Sequence, residues 1–399
     1  MMRSGGAGEP SAAAPAGIRA SAYLPELEGL RGIAVLLVYT FHADRFLTIA
    51  PELAGIDTRA VASPLVAFIR AGHTGVTLFF VLSGFLLSLP FLAEADGGPR
   101  VDRRRYVERR ALRILPLYWV LLLVAVLVAG GGLRRALPYV AFVNGFLPSP
   151  PTLPPFTNVV WSLATEAQYY VLLPLLPLAW RWPRVGLAVL GAYALAWGLW
   201  IAGRVGPQDG SGAFQLGLSI FGRGWTFLAG IGAAWVWRRH GDPLRARAAQ
   251  VPALRYGGAD ALLVLVLLGL GGCLVWELHR PAVRVPCPPV VGWHLVEGVA
   301  WALVLLLVLL APLRSAPLFR SRVLTGLGVL SYSIYVWHVP VYHYGLRLFR
   351  RWWGAPPYGW DGAGVLVYTT LSVVVLAVST CTYVAIERPF LRRKTHLRI

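Results

Sequence analysis

Long apolar runs separated by short, arginine-bearing connections set the pattern of this chain. The first run opens at Leu24 in LPELEGLRGIAVLLVYTFH and continues to about Ile49. At ~1.5 Å per residue, a helix of that length crosses a bilayer. Further runs fall at about 72–92, 114–130, 158–180, 184–203, 216–237, 257–277, 293–313, 323–345 and 362–386. The pattern predicts an all-α fold, a polytopic membrane helical bundle of about ten transmembrane helices. Leu137 to Phe146 is apolar but only about ten residues long, and it runs into Pro148, Pro150, Pro151, Pro154 and Pro155. That segment reads as re-entrant or interfacial. Residues 1–22, rich in Gly, Ala, Ser and Pro and without the layout of a cleaved signal peptide, read as a disordered cytosolic tail. Residues 23–390 then form one membrane domain and 391–399 a basic cytosolic tail, with no polar stretch long enough for a soluble domain.

Ionisable residues inside such spans are costly in lipid and face a bundle interior or a watered cavity, so each is a candidate for function. Arg31 and His42 bracket the first half of the first span. Eleven steps of ~100° return to within about 20° of the start, which puts the two on one helix face roughly 16 Å apart. The plainer reading makes Arg31 an interfacial anchor and His42 a hydrogen-bonded interior histidine. In the fourth span, NVVWSLATEAQYYVLLPLLP, residues Asn158, Ser162, Glu166 and Tyr170 make a polar stripe. Glu166 needs a partner there: Arg223 in the sixth span, Arg31, or a histidine proton, with a purely structural ion pair as the alternative. The ninth span, LSYSIYVWHVPVYHY, brings Ser331, Tyr335, His338 and Tyr342 to one face. In the second, GVTLFFVLSGFLL, Gly84 and Ser88 offer a small-xxx-small surface for close helix packing. The spans at 184–203, 257–277 and 293–313 are nearly featureless and read as scaffold.

Composition supports the membrane reading and charge refines it. Hydrophobic residues make up 57% of the 399, and mean hydropathy is +0.61. A net charge of +19 would suit nucleic acid on a soluble domain. Here the arginines sit in short connections, so the partner is the lipid bilayer and not nucleic acid. Placing both termini in the cytosol puts about two thirds of the Lys/Arg on that side, and shifting by one span reverses the bias. One connection carries Arg100, Arg103, Arg104, Arg105, Arg109, Arg110 and Arg113, more than orientation requires. Guanidinium forks match phosphate oxygens, which suits a polyanionic cytosolic cosubstrate or anionic lipid headgroups. Cys273, Cys287 and Cys381 are odd in number and widely spaced, so neither a disulfide framework nor a metal site is predicted.

Six of these motifs, in this order and over most of the chain, resemble the acyltransferase 3 family of bacterial integral-membrane O-acyltransferases: LPELEGLRGIAVLLVYTFH, GVTLFFVLSGFLL, RRALRILPLYW, WSLATEAQYY, LSYSIYVWH and IERPF. The resemblance implies a plasma-membrane enzyme that takes an acyl group, often acetyl, from cytosolic acyl-CoA as cosubstrate and places it on a hydroxyl of a carbohydrate, glycolipid or macrolide-like acceptor. It implies that His42 is the catalytic histidine, Arg31 its paired arginine, and Arg110 and Arg113 the cytosolic basic motif. Arg223, an intramembrane cation outside these motifs, is a further candidate for binding the cosubstrate. Glu166 and His338 match polar positions of the later motifs, with Ser331, Tyr335 and Tyr170 beside them. WSLATEAQYY departs from the family in having Ala and Tyr where a second glutamate and a phenylalanine are common. Many relatives carry an SGNH-type hydrolase domain; none is expected here, so the chain would complete transfer itself or hand the acyl group to another protein. The chemistry agrees, because a neutral imidazole is a suitable general base for a hydroxyl attacking a thioester, directly or through an acyl-histidine. A nearby carboxylate such as Glu166 would then orient the imidazole or stabilise its charged form, in a cavity shared by Arg31, His42, Glu166 and His338. The competing class is a secondary transporter or flippase, which also needs intramembrane charge, though no internal repeat is visible.

Overall fold

The computed structural model describes residues 24–48, 68–130, 132–147, 151–202, 217–278, 288–354 and 362–395. Each of the ten apolar runs is helical over most of its length. In chain order these are α1 (Pro25–Thr48), α2 (Thr74–Ala95), α3 (Arg103–Val128), the short α4 (Leu133–Val140), α5 (Thr157–Leu172) and its continuation α6 (Leu176–Arg181), and α7 (Pro183–Ala202). They are followed by α8 (Ile220–Gln250), α9 (Ala259–Leu278), α10 (Pro288–Leu310), α11 (Arg322–Trp353), α12 (Gly362–Thr382) and α13 (Arg388–Thr395). No strand occurs among the described residues.

Local chemistry sets the helix ends. Asp102 caps α3 by accepting from the Arg105 N–H at 3.1 Å, and Ser321 caps α11 by accepting from Leu324 N–H at 3.3 Å. The fourth span breaks into α5 and α6 through a 3₁₀ turn at Leu173–Leu175, where Pro174 and Pro177 remove backbone donors. At eight residues α4 is too short to span, as expected for this segment. Residues 391–395 of the expected C-terminal tail belong to α13. The tail over 1–22, residues 396–399, Cys287, Pro148 and Pro150 lie outside the described residues.

Among the described residues, six helical stretches are long and apolar enough to cross a membrane: Phe68–Ala95, Arg103–Val128, Val159–Arg181, Leu254–Trp276, Trp293–Leu310 and Gly362–Arg393. The remaining long helices include α1, α8 and α11, which carry Arg31 and His42, Arg223, and His338 respectively. α1 packs mainly on α11 and α2, and α2 packs in turn on α8. Two close approaches fix this arrangement. A Cβ at Gly84 would collide with the Phe227 carbonyl oxygen, and one at Gly230 with that of Val81, so α2 and α8 touch backbone to backbone. A Cβ at Gly328 of α11 would meet the Glu28 carbonyl of α1 in the same way. The small-residue surface on α2 therefore works through Gly84, whereas the buried Ser88 hydroxyl donates within its own helix to Phe85 O at 3.2 Å.

Candidate functional site

Helices α1, α2, α3, α5 and α11 line an open cavity. Seven of the ten candidate residues line it: Arg31, Arg110, Arg113, Glu166, Tyr170, Ser331 and Tyr335. Phe79, Phe80, Leu86 and Leu87 of α2 supply an apolar wall, and Ser83 of the same helix faces the polar side. His42, His338 and Arg223 are not in its lining.

Glu166 makes none of its expected ion pairs. Its Oε1 accepts two hydroxyl bonds instead, from Ser83 Oγ at 2.7 Å and Tyr170 OH at 2.6 Å. Arg31 donates from Nη1 to Glu28 Oε1 at 3.0 Å, one turn back on its own helix. Two neutral donors meet the carboxylate at the cavity wall without bringing a cation into contact with it. The arginine cluster is similarly divided. Arg103 pairs with Glu94, Arg104 with Glu108 and Arg105 with Asp102. Arg113 Nη1 lies 3.2 Å from Oε2 of the buried Glu387, the glutamate of IERPF, which also accepts from Ser333. Its guanidinium stands over the Tyr332 ring at 5.7 Å. Arg109 and Arg110 have no carboxylate partner among the described residues. The Arg110 guanidinium lies over the Tyr170 ring at 5.8 Å, which leaves it as the cavity arginine free to meet an anion.

The two histidines meet behind the cavity wall. His338 Nε2 and His42 Nδ1 are 3.1 Å apart, with ring centroids 4.9 Å apart. Nδ1 of His338 also lies 2.8 Å from Tyr335 O and 3.1 Å from Ile334 O, and Nδ1 of His42 lies 2.9 Å from Val38 O. Carbonyl oxygens only accept, so both Nδ1 atoms carry hydrogen. His42 Nδ1–H is then shared between Val38 O and the His338 Nε2 lone pair. His42 is half-buried and His338 almost fully buried. Tyr335, one turn before His338, joins the pair to the cavity: its hydroxyl lies 2.5 Å from Ser162 Oγ and its ring centroid 5.7 Å from that of His338. The single cavity expected for Arg31, His42, Glu166 and His338 thus resolves into a cavity holding Arg31 and Glu166 and an adjoining histidine pair. Glu166 does not orient His42; His338 holds that position.

Arg223 belongs to a second cluster. Its Nη1 lies 3.0 Å from His294 Nδ1, and its guanidinium covers the Trp161 ring at 5.3 Å. The same His294 Nδ1 lies 3.3 Å from Oε2 of Glu297, a carboxylate with no solvent exposure. Both His294 and Glu297 sit on α10, the helix read from its sequence as scaffold. The signal was present in WHLVEG, where a histidine and a glutamate three residues apart interrupt an apolar run, the same rule that singled out Glu166. Asp44 of α1, buried and 3.2 Å from Arg70 Nε, was passed over for the same reason.

The family model described as an acyltransferase domain matches residues 24–384. The chain is 23% identical over 355 residues to the peptidoglycan O-acetyltransferase OatA of Listeria monocytogenes, covering 80% of this chain and 49% of that protein. It is 27% identical over 385 residues to a Komagataeibacter xylinus protein provisionally described as the membrane-bound transacylase BcsY, covering 91% of this chain and 82% of that one. A Bacillus subtilis protein provisionally described as the peptidoglycan O-acetyltransferase YrhL is 25% identical over 366 residues, with 48% of its length covered. The chain therefore spans about half the length of two of these three relatives. No solved structure matches it.

Proposed function

The chain belongs to the acyltransferase family and is a multi-pass membrane protein, and from that premise we propose that it transfers an acyl group, acetyl in the simplest case, from cytosolic acyl-CoA to an acceptor hydroxyl, with His42 as general base. The observation that carries this reading is the junction at Tyr335, where an arginine-bearing cavity adjoins the His338–His42 pair, in which His42 keeps a free ring nitrogen. Arg110, supported by Arg31 and Arg113, meets the phosphates of the donor. The pantetheine arm runs along the apolar wall of α2, and Glu166, whose Oε1 is occupied, offers Oε2 to one of its amide N–H groups. The thioester then reaches Ser162 and Tyr335, whose two hydroxyl protons serve their mutual bond and Val159 O at rest, and the one held by Val159 O turns to meet the developing oxyanion.

In the step itself, His42 Nε2 takes the acceptor hydroxyl proton as its oxygen bonds to the thioester carbonyl carbon. The tetrahedral intermediate collapses by breaking the C–S bond, and the imidazolium returns the proton to the leaving thiolate. Two relatives carry peptidoglycan acetylation in their names, which favours a carbohydrate hydroxyl as acceptor. Purified protein in lipid nanodiscs, given acetyl-CoA and a glycan acceptor, is expected to release free CoA thiol in step with acetylated product. His42→Ala is expected to lower that rate by ~10²-fold or more, the usual range for a general base, with an unchanged elution profile. Retention of wild-type turnover in the variant refutes His42 as the base, and glycan flux without thiol release refutes the enzyme reading.

A further inference from the structure

The hydrogen-bond pattern of the histidine pair points to His338 as a positioning residue that locks His42 in one tautomer, so that Nε2 is the nitrogen left to act as base. This rests on the reading of His42 as general base. Four contacts carry it: His338 Nδ1 to Tyr335 O and Ile334 O, His42 Nδ1 to Val38 O, and His338 Nε2 to His42 Nδ1. If His338 Nε2 carried the proton instead, its Nδ1 lone pair would face two carbonyl oxygens and the His42 Nδ1 lone pair a third. One neutral arrangement satisfies all four contacts, the one with hydrogen on both Nδ1 atoms. His42 Nε2 then holds a lone pair, and no side chain or backbone group among the described residues bonds to it.

The backbone carbonyls of α11 thus set the tautomer of His338, and His338 Nε2 together with Val38 O sets that of His42, across two helices that touch at Gly328 and Glu28. A carboxylate in this place would do the same orienting work but would bring an anion into the membrane interior, where an unpaired charge is costly. A neutral imidazole orients without that charge. When His42 takes up the acceptor proton, its Nδ1–H becomes a cationic donor and the bond to His338 Nε2 strengthens, so the contact favours the charged intermediate over the resting state.

The test uses three substitutions in the full-length protein. Gln at 338 can present a carbonyl oxygen near the position of Nε2, Asn reaches only as far as Nδ1, and Phe fills the space without any acceptor. His338→Phe and His338→Asn are expected to lower kcat by ~10-fold or more with the acyl-CoA KM within about two-fold of wild type, and His338→Gln to recover most of that loss. ¹⁵N spectra of histidine-labelled protein, with His42 assigned by its absence in His42→Ala, are expected to show His42 protonated at Nδ1 in the wild type and in His338→Gln. Equal kcat in the Phe, Asn and Gln variants, or a wild-type His42 protonated at Nε2, overturns the proposal. The spectrum reads the tautomer without turnover, so it stands apart from any failure of the general-base reading.

Discussion

Replacing Arg113 by glutamine should cost the fold more than it costs the donor site. Its partner Glu387 has 2% side-chain exposure, against 21% for Arg113, at a separation of 3.2 Å. Removing one member of a buried pair typically costs about 3–5 kcal/mol, because the remaining charge is left without compensation. Ser333 still donates to Glu387, and Thr382 Oγ1 supports Ser333 at 3.3 Å. With water able to approach the site that Arg113 vacates, the loss should fall at or just below the bottom of that range, ~2–3 kcal/mol. Glu387→Gln removes the buried charge itself, and in the double variant two amides face each other, so its loss should be only about 1 kcal/mol. The coupling is therefore at least ~1 kcal/mol, well outside the spread of independent sites. Unfolding of the four proteins in mixed micelles, followed by tryptophan fluorescence, gives the double-mutant cycle. Losses for the single variants that add within ~0.5 kcal/mol would refute the coupling, and with it the role of IERPF as the anchor of α3 against α11 and the C-terminal helix.

Arg110→Gln is expected to raise the acyl-CoA KM by ~10-fold at low salt, with the difference shrinking as ionic strength rises, and to leave stability unchanged because no carboxylate is orphaned. A KM equal to wild type across about 50 to 500 mM salt, over which the Debye length falls roughly three-fold, would remove Arg110 from the donor site. Gly84→Val should prevent close contact of α2 with α8 and abolish monodisperse protein, whereas Gly191→Ala on the exposed face of α7, where nothing lies within 4 Å of an added Cβ, should be tolerated. Equal yields of the two variants would show that α2 and α8 do not depend on backbone contact. Glu297→Leu is expected to lower unfolding stability by ~2–4 kcal/mol, since His294 and Arg223 lose a buried counter-charge, while the acyl-CoA KM holds because the cluster is outside the cavity. A KM shift without a stability loss would move Glu297 into the donor site.

The helices were legible along the chain because bilayer thickness is a local constraint. About twenty apolar residues satisfy it wherever the neighbours lie, and the ten runs are helical. Helical periodicity likewise placed Tyr335 and His338 on one face of α11, and the cost of charge in lipid singled out Arg31, His42, Glu166 and Arg223 before any contact was known. The same cost rule, applied evenly, would also have found Asp44, His294 and Glu297.

Partners were another matter. Periodicity fixes a residue's face relative to its own helix but not which neighbour that face meets, nor at what depth. Glu166 found a hydroxyl on Ser83, 83 positions away, in preference to any arginine. Arg113 found Glu387 across 274 positions, and His42 found His338 across 296. Each of these contacts depends on backbone approaches such as Gly84 on Phe227 and Gly328 on Glu28, which set helix rotation and separation together. The sequence by itself thus determined the span pattern, the interior faces and the stock of ionisable groups, because those follow from helix geometry and solvation of single segments. Only the tertiary structure decided the pairing of those groups and the proton positions on the two histidines, because hydrogen bonds act over about 3 Å and that distance is set by packing between helices.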